Sequence, residues 1–391
     1  MSTPMIYLDN AATTPICQAA LDAYVEASQV TWGNPSSRHG FGKMAEDAIR
    51  EVREEIKASI GAKDGVVVFT AGGTEANNLA LFGRALSKPR YLKGMKIITT
   101  AGEHASISHP LHALAQKGFR VVEIPTIGGK LDLDALEREL TPDVILLTMM
   151  MVNNESGAVY DLATVSRMMK RACPEAVLHV DDTQAYMKLP LSVKTLGADL
   201  VTLSSHKIEG PKGVGALWIS QDLITKKGIV AQCLGGGQEG NLRSGTENVP
   251  GIVAFGAAVK YKRAQFATQV ARLQALKDRL LMGLGDETLL EVKVNLPPVA
   301  APHIVSLTLP KIKSETMLHF LSSKGIYVSS GSACSSHDGH LSSGMLSYGL
   351  SESEADTTIR VSLGAGNTEE DVDLFLAALK EGVESLIRVR K

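Results

Sequence analysis

The chain has 391 residues, with 40 Lys+Arg against 42 Asp+Glu and a formal net charge of −2. At roughly 150 residues per domain, that length predicts about two or three domains. With 44% hydrophobic and 21% charged residues, a disordered or fibrous chain is excluded. Balanced charge without a long basic run argues against general nucleic-acid binding. The longest apolar run, 144–152, falls short of the roughly 20 residues that cross a bilayer. The first residues, MSTPMIYLDN, show neither a basic leader nor an apolar signal core, so a cytoplasmic location is expected. Cys17, Cys173, Cys233 and Cys334 are scattered with no CxxC spacing, which predicts free thiols and no metal site.

In chain order, short β-rich runs at 66–69, 96–100, 120–124, 143–149, 176–180, 199–204 and 215–219 alternate with helical periodicity at 76–86, 106–117, 132–140 and 162–172. Several runs are apolar on both faces, as strands between two helical layers must be. The alternation predicts an α/β fold with a mainly parallel seven-stranded sheet flanked by helices. Ligands of such sheets bind beyond the C-terminal strand ends, so the residues just after each run matter most. After the glycine-rich stretch 234–245 the pattern changes. One long helix is expected over about 249–284, then a strand at 303–309, a helix at 314–324, strands at 327–329 and 357–363, and a helix at 368–388. These read as a smaller α+β domain.

Asp181 follows the run 176–180, with Gln184 three positions on, and Ser204-Ser205-His206-Lys207 follows the run 199–203. An acid and a lysine at neighbouring strand exits suit pyridoxal phosphate. The amine would form a Schiff base and the carboxylate would keep the pyridine nitrogen protonated; the plain alternative is a salt bridge at the sheet rim. Thr70-Ala71-Gly72-Gly73-Thr74-Glu75 opens a helix after a strand. Its free N–H groups and the Thr74 hydroxyl would cradle a phosphate, or the segment is simply a capped turn. His104 sits at another strand exit, where an imidazole could stack on a ring and move protons. Asn153 and Asn154 follow the run 143–149 and offer amide donors, or shape a turn. Cys334 lies in Ser-Gly-rich sequence with no apolar pattern, which argues for an accessible thiol rather than core filling. Arg360 could clamp a substrate carboxylate bidentately.

Together these residues resemble the NifS-type cysteine desulfurases, members of the class-V aminotransferase group of fold-type I pyridoxal-phosphate enzymes. The likeness rests on Tyr7-Leu8-Asp9-Asn10-Ala11-Ala12-Thr13-Thr14-Pro15, Gly33-Asn34-Pro35, the 70–75 turn, Glu103-His104 and Val152–Glu155. It continues through His179-Val180-Asp181, Ser205-His206-Lys207, Arg243-Ser244-Gly245-Thr246 and Ser330-Gly331-Ser332-Ala333-Cys334. It implies a large cofactor-binding domain over 15–262 and a small domain built from 1–14 and 263–391.

By the same resemblance Lys207 holds the cofactor, Asp181 pairs with the pyridine nitrogen, Gln184 contacts the phenolate oxygen and His104 stacks on the ring. Gly73, Thr74, Ser204 and His206 would bind the phosphate, with Thr246 reaching across from the second subunit of a homodimer. Asn34, Asn154 and Arg360 would receive the carboxylate of L-cysteine, Asn154 also contacting the cofactor. Cys334 would accept the sulfur as a persulfide and pass it to a protein acceptor such as an iron–sulfur scaffold or sulfur carrier. Three positions depart from the family pattern: Asp182 and Thr183 stand where small residues are common, Glu209 where an aromatic is. Asp182 is therefore expected to add a negative charge near the ring. The alternative activities are related class-V reactions such as selenocysteine lysis or aminotransfer.

Overall fold

A computed structural model describes residues 5–92, 94–330 and 342–386. Thirteen strands are present among them: β1 Ile6–Tyr7, β2 Val66–Thr70, β3 Lys96–Thr100, β4 Arg120–Ile124, β5 Val144–Met150, β6 Val177–Asp181, β7 Leu200–Ser204, β8 Gly215–Ile219, β9 Lys293–Val294, β10 Ile304–Thr308, β11 Ile326–Tyr327, β12 Ser329–Ser330 and β13 Thr358–Ser362. Seven of them form one sheet in the order β2-β8-β7-β6-β5-β3-β4. All are mutually parallel except β8, which runs antiparallel to both β7 and β2. Only residues 205–214 separate β7 from β8, too few for the crossover a parallel neighbour requires.

Period-two alternation sorts the sheet's side chains between two cores. Val67, Phe69, Ile98, Val201, Leu203, Ala216 and Trp218 join one cluster with Ile49, Ile56, Val165, Phe255 and Val259 from the helices Gly40–Ser59, Leu162–Ala172 and Val249–Ala264. Val68, Ile97, Leu200, Leu217 and Ile219 join the opposite cluster with Leu79, Leu81, Leu111 and Leu114 from the helices Gly73–Ala85 and Ala105–Gln116. His179 is a fully buried polar residue inside this layer. Its two ring nitrogens bridge Thr148 Oγ1 on β5 and Thr202 Oγ1 on β7, at 2.8 and 3.0 Å.

A third core gathers around the four-stranded sheet β12-β13-β10-β9 and includes Leu276, Leu280, Leu307, Ile359, Phe375 and Leu379. Two expectations need correction here. The single helix over 249–284 is two, Val249–Ala264 and Phe266–Gly283, broken at Gln265 with φ −111° and ψ 7°. The first buries Phe255 and Val259 against the large sheet, the second buries Leu276 and Leu280 in the third core; the change of direction serves both. The strand at 327–329 is also two pieces. β11 pairs parallel with β1, whereas β12 pairs antiparallel with β13, so the chain switches sheets at Val328. No described helix is long and apolar enough to cross a membrane.

Candidate active site

The exits of β3, β5, β6 and β7, the start of the helix Gly73–Ala85, residues 11–12, β12 and β13 enclose a cavity of about 340 Å³. Lys207 and Asp181 both line it, because β6 and β7 are parallel neighbours whose C-terminal ends open on the same side. Gly73, Thr74, His104, Asn154, Gln184, Ser204, His206 and Arg360 join them there. Two expected residues lie elsewhere. Asn34 is exposed, with its side-chain oxygen accepting from Ser36 N–H at 2.9 Å. Thr246 lines a separate recess with Arg243 and Glu247. Cys334 falls outside the described residues.

The start of the chain builds one wall. Asn10 donates to the Ser362 carbonyl on β13 at 3.0 Å, and Ala11 N–H donates to Ser362 Oγ at 2.9 Å. This fixes the next two carbonyls toward the cavity. Lys207 Nζ donates to Ala11 O and Ala12 O at 2.6 and 2.7 Å, and Gln184 Nε2 donates to Ala11 O at 2.9 Å. Thr14 reaches behind the lysine: its Oγ1 donates to the His206 carbonyl and accepts from Glu209 N–H, both at 2.8 Å. Glu209, at φ 64°, pairs with Lys262, which directs its charge away from the main cavity.

Asp181 is buried and both its oxygens are engaged, Oδ1 by Thr183 N–H at 3.0 Å and Oδ2 by Asn77 Nδ2 at 2.8 Å. His104 caps its helix: Nδ1 accepts from Ser106 N–H at 3.1 Å and lies 2.9 Å from Ser106 Oγ. Burial lowers its pKa, opposed by Asp181 and aided by Lys207, His109 and Arg360. Burial also takes His206 down to about 4, aided by Lys207, Lys212 and Lys188. Asp182, expected to add negative charge, is fully buried with both oxygens unpartnered. Burial and then Asp181 push its carboxyl well up, so the neutral acid is favoured there.

Arg360 spans the cavity's far side, with Nη2 donating to Asp9 Oδ1 at 2.7 Å and Nη1 to the Asn154 carbonyl at 2.8 Å. It thus engages the main chain of Asn154 rather than its amide. Its Nε is buried without a partner. Beside it Glu155 accepts from Ser342 Oγ, and burial pushes its carboxyl up to about 7.

These groups fit pyridoxal phosphate. The Ser204 hydroxyl is buried and unpartnered, next to Gly73, whose Cβ would lie 3.5 Å from Ser204 Cβ. An anion at this helix start would satisfy that hydroxyl and the free N–H groups of the first turn. A Cβ on Gly215 would come within 2.6 Å of the Gly72 backbone, so β8 can press the turn into place only with glycine there. The reading from sequence passed over Asp9, Asn77, Ser106 and the carbonyls of Ala11 and Ala12. Asp9 and the alanines stood in a quoted motif; Asn77 and Ser106 carried no signal, since packing of two helices brings them in.

Comparison with known proteins bears on the family and the fold. The family model for class-V aminotransferases matches residues 6–375. The chain is 37% identical over 387 residues to cysteine desulfurase IscS 1 of Archaeoglobus fulgidus, covering 98% of each. A solved NifS-like protein superposes with a TM-score of 0.90 at 32% identity, covering 98% of this chain and 100% of the other. A NifS-like protein from Rickettsia africae gives 0.85 at 30% identity, again with 98% and 100% covered. By the span of that family match and by these identities and coverages, the chain belongs to the class-V aminotransferase family, in its NifS/IscS group.

Proposed function

We propose that this chain is a cysteine desulfurase that uses pyridoxal phosphate to turn L-cysteine into L-alanine and leaves the sulfur as a persulfide on Cys334. The observation that carries it is one cavity lined by a lysine and a hydrogen-bonded aspartate at adjacent parallel strand exits. When bound, pyridoxal phosphate supplies a carbonyl for amine linkage and an electron sink for the substrate's α-carbon. Lys207 would hold it and, once displaced by the substrate amine, take and return the α-proton. Asp181 would keep the pyridine nitrogen charged, His104 would lie against the ring, and Ser204, His206, Thr74 and Gly73 would hold the phosphate. Arg360, oriented by Asp9, would receive the substrate carboxylate. The Cys334 sulfur attacks the substrate sulfur: an S–S bond forms, the Cβ–S bond breaks, and its electron pair is protonated at carbon to give alanine.

The exposed rings of Trp32 and Phe41, 5.6 Å apart, support a homodimer. In such a dimer Thr246 would serve the neighbouring cavity. The persulfide would go to a protein acceptor in the cytoplasm, an iron–sulfur scaffold or a sulfur carrier. The test is incubation of the cofactor-loaded chain with L-cysteine. Equal alanine and one added sulfur on Cys334 by mass spectrometry are expected, both abolished in Lys207→Ala, with the sulfur adduct lost in Cys334→Ala. Undiminished alanine release by Cys334→Ala would turn the assignment toward another class-V reaction.

A further inference from the structure

Asn77 sits one turn into the helix Gly73–Ala85, 1% exposed, and Ser106 lies in the first turn of the helix Ala105–Gln116, 7% exposed; both line the cavity. Asn77 Nδ2 donates in two directions, to Asp181 Oδ2 and to Ser106 Oγ, each at 2.8 Å. An ionised carboxylate only accepts, so the amide nitrogen must face Asp181 and the orientation of Asn77 is settled. Its carbonyl oxygen is left buried without a partner, the cost of aiming both donors at acceptors. Ser106 Oγ, already accepting from Asn77, has one hydrogen of its own, and His104 Nδ1 lies 2.9 Å away. Since Nδ1 also receives the Ser106 backbone N–H at 3.1 Å, it is the bare nitrogen of a neutral imidazole. The ring proton is on Nε2.

We propose that Asn77 is a positioning residue that joins Asp181 to His104 through Ser106, as one chain of hydrogen bonds with a fixed donor sense. Asn77 donates outward to both ends, which engages Asp181 Oδ2 as an acceptor and leaves the Ser106 hydrogen for Nδ1 of a neutral His104 with its proton on Nε2. The group expected at the ring nitrogen and the group expected against the ring face are thereby set together. With Asn77 occupying one lone pair, the Ser106 hydrogen is biased toward Nδ1; without Asn77 both lone pairs are open and the hydroxyl accepts more readily from a protonated Nδ1, which favours the imidazolium.

The test follows the His104 Cε1 resonance in the full chain labelled with 13C-histidine, loaded and unloaded, across roughly pH 5 to 9. Loss of a signal in His104→Gln assigns it. Asp181, Lys207, His109 and Arg360, the titratable neighbours of this imidazole, stay in place in the Ser106 and Asn77 variants. Ser106→Ala and Asn77→Ala are each expected to raise the His104 midpoint by about half a unit to one unit, and Asn77→Ala to weaken cofactor binding about tenfold. In the double variant the midpoint should lie close to that of Ser106→Ala, because Asn77 makes its contact with the ring through that hydroxyl and its other contact is with Asp181, which stays in place. An unchanged midpoint in Ser106→Ala, or additive shifts in the pair, overturns the proposal. If Asn77→Ala does not fold, Ser106→Ala decides by itself. The proposal rests on the cofactor roles given to Asp181 and His104. Undiminished cofactor affinity in Asp181→Ala would defeat those roles, while the titration of the unloaded chain would still judge the relay.

Discussion

Arg360 is useful only if its fork points into the cavity, and its neighbours explain how it does so. It stands on β13 opposite Ser306 and Ser329, with Asp9 holding one nitrogen and the Asn154 carbonyl another. Both anchors are themselves held, Asp9 by its backbone bridge to Ser362 and Asn154 by the turn after β5, where the Asn153 side-chain oxygen accepts from the N–H groups of Glu155 and Ser156. Asp9→Asn keeps the shape but removes the charge that orients the guanidinium. The expected outcome is a KM for L-cysteine raised about tenfold with kcat changed far less, since a charge-assisted hydrogen bond contributes about 1.5–3 kcal/mol. A fall in kcat with unchanged KM would mean that Asp9 acts on the reaction and not on carboxylate binding. Asp181→Asn predicts a different split. A neutral amide cannot hold a pyridinium, so kcat should fall by roughly two or more orders of magnitude, and near-normal turnover would show that another group holds that proton.

Elements carry these residues to the site with unequal visibility in sequence. Asp181, His104 and Lys207 directly follow runs whose period and length mark them as buried strands, so the rule that parallel sheets bind at their C-terminal ends placed them in one crevice. β8 could not be oriented this way, since its direction depends on the short 205–214 connection and not on its own pattern. The break at Gln265 and the sheet switch at Val328 escaped for a related reason: each lies inside an unbroken periodic run, and only the separate cores on either side divide it. The segment 9–14 had a motif but no chemistry until its carbonyls were seen against Lys207 and Gln184. Its role as a clamp is testable at Thr14. Thr14→Val strips the hydroxyl from the Glu209 N–H, at a position already in the left-handed region. Leaving that donor unsatisfied costs about 1–3 kcal/mol. Thermal unfolding of the unloaded chain should fall accordingly and cofactor affinity should drop several-fold; unchanged affinity would show that the 205–209 turn holds itself.

Across the whole molecule, burial of titratable groups around the cavity links the fold to pH. Glu103 is fully buried behind His104, bonded by Thr100 Oγ1 and by Met150 N–H, yet burial outweighs those bonds and raises its carboxyl to about 8. An unfolded glutamate ionises near ~4.3. Between that pH and about 8 the unfolded chain has released this proton while the folded chain keeps it. The Glu103 contribution is therefore complete below the lower limit and shrinks as pH rises through the upper one. His179 runs the other way. Burial lowers it to about 4, so its contribution is complete above the unfolded value of ~6.5 and is lost as pH falls toward 4. Lys188 and Lys277, lowered by burial to about 7 and 8, add stability only as pH climbs from those values toward ~10.4. Total stability thus mixes opposing slopes, and the Glu103 part is isolated by difference. Glu103→Gln keeps the size and one acceptor for Met150 N–H, and it cannot ionise. Near pH 5 the variant should unfold close to the parent or slightly below it. Toward pH 8 the variant should gain on the parent by roughly a few kcal/mol, read as a widening gap in thermal midpoints of the unloaded chain. A gap that stays constant over that range would mean Glu103 ionises in the folded protein as readily as in water, and burial behind the imidazole would not be what sets its charge.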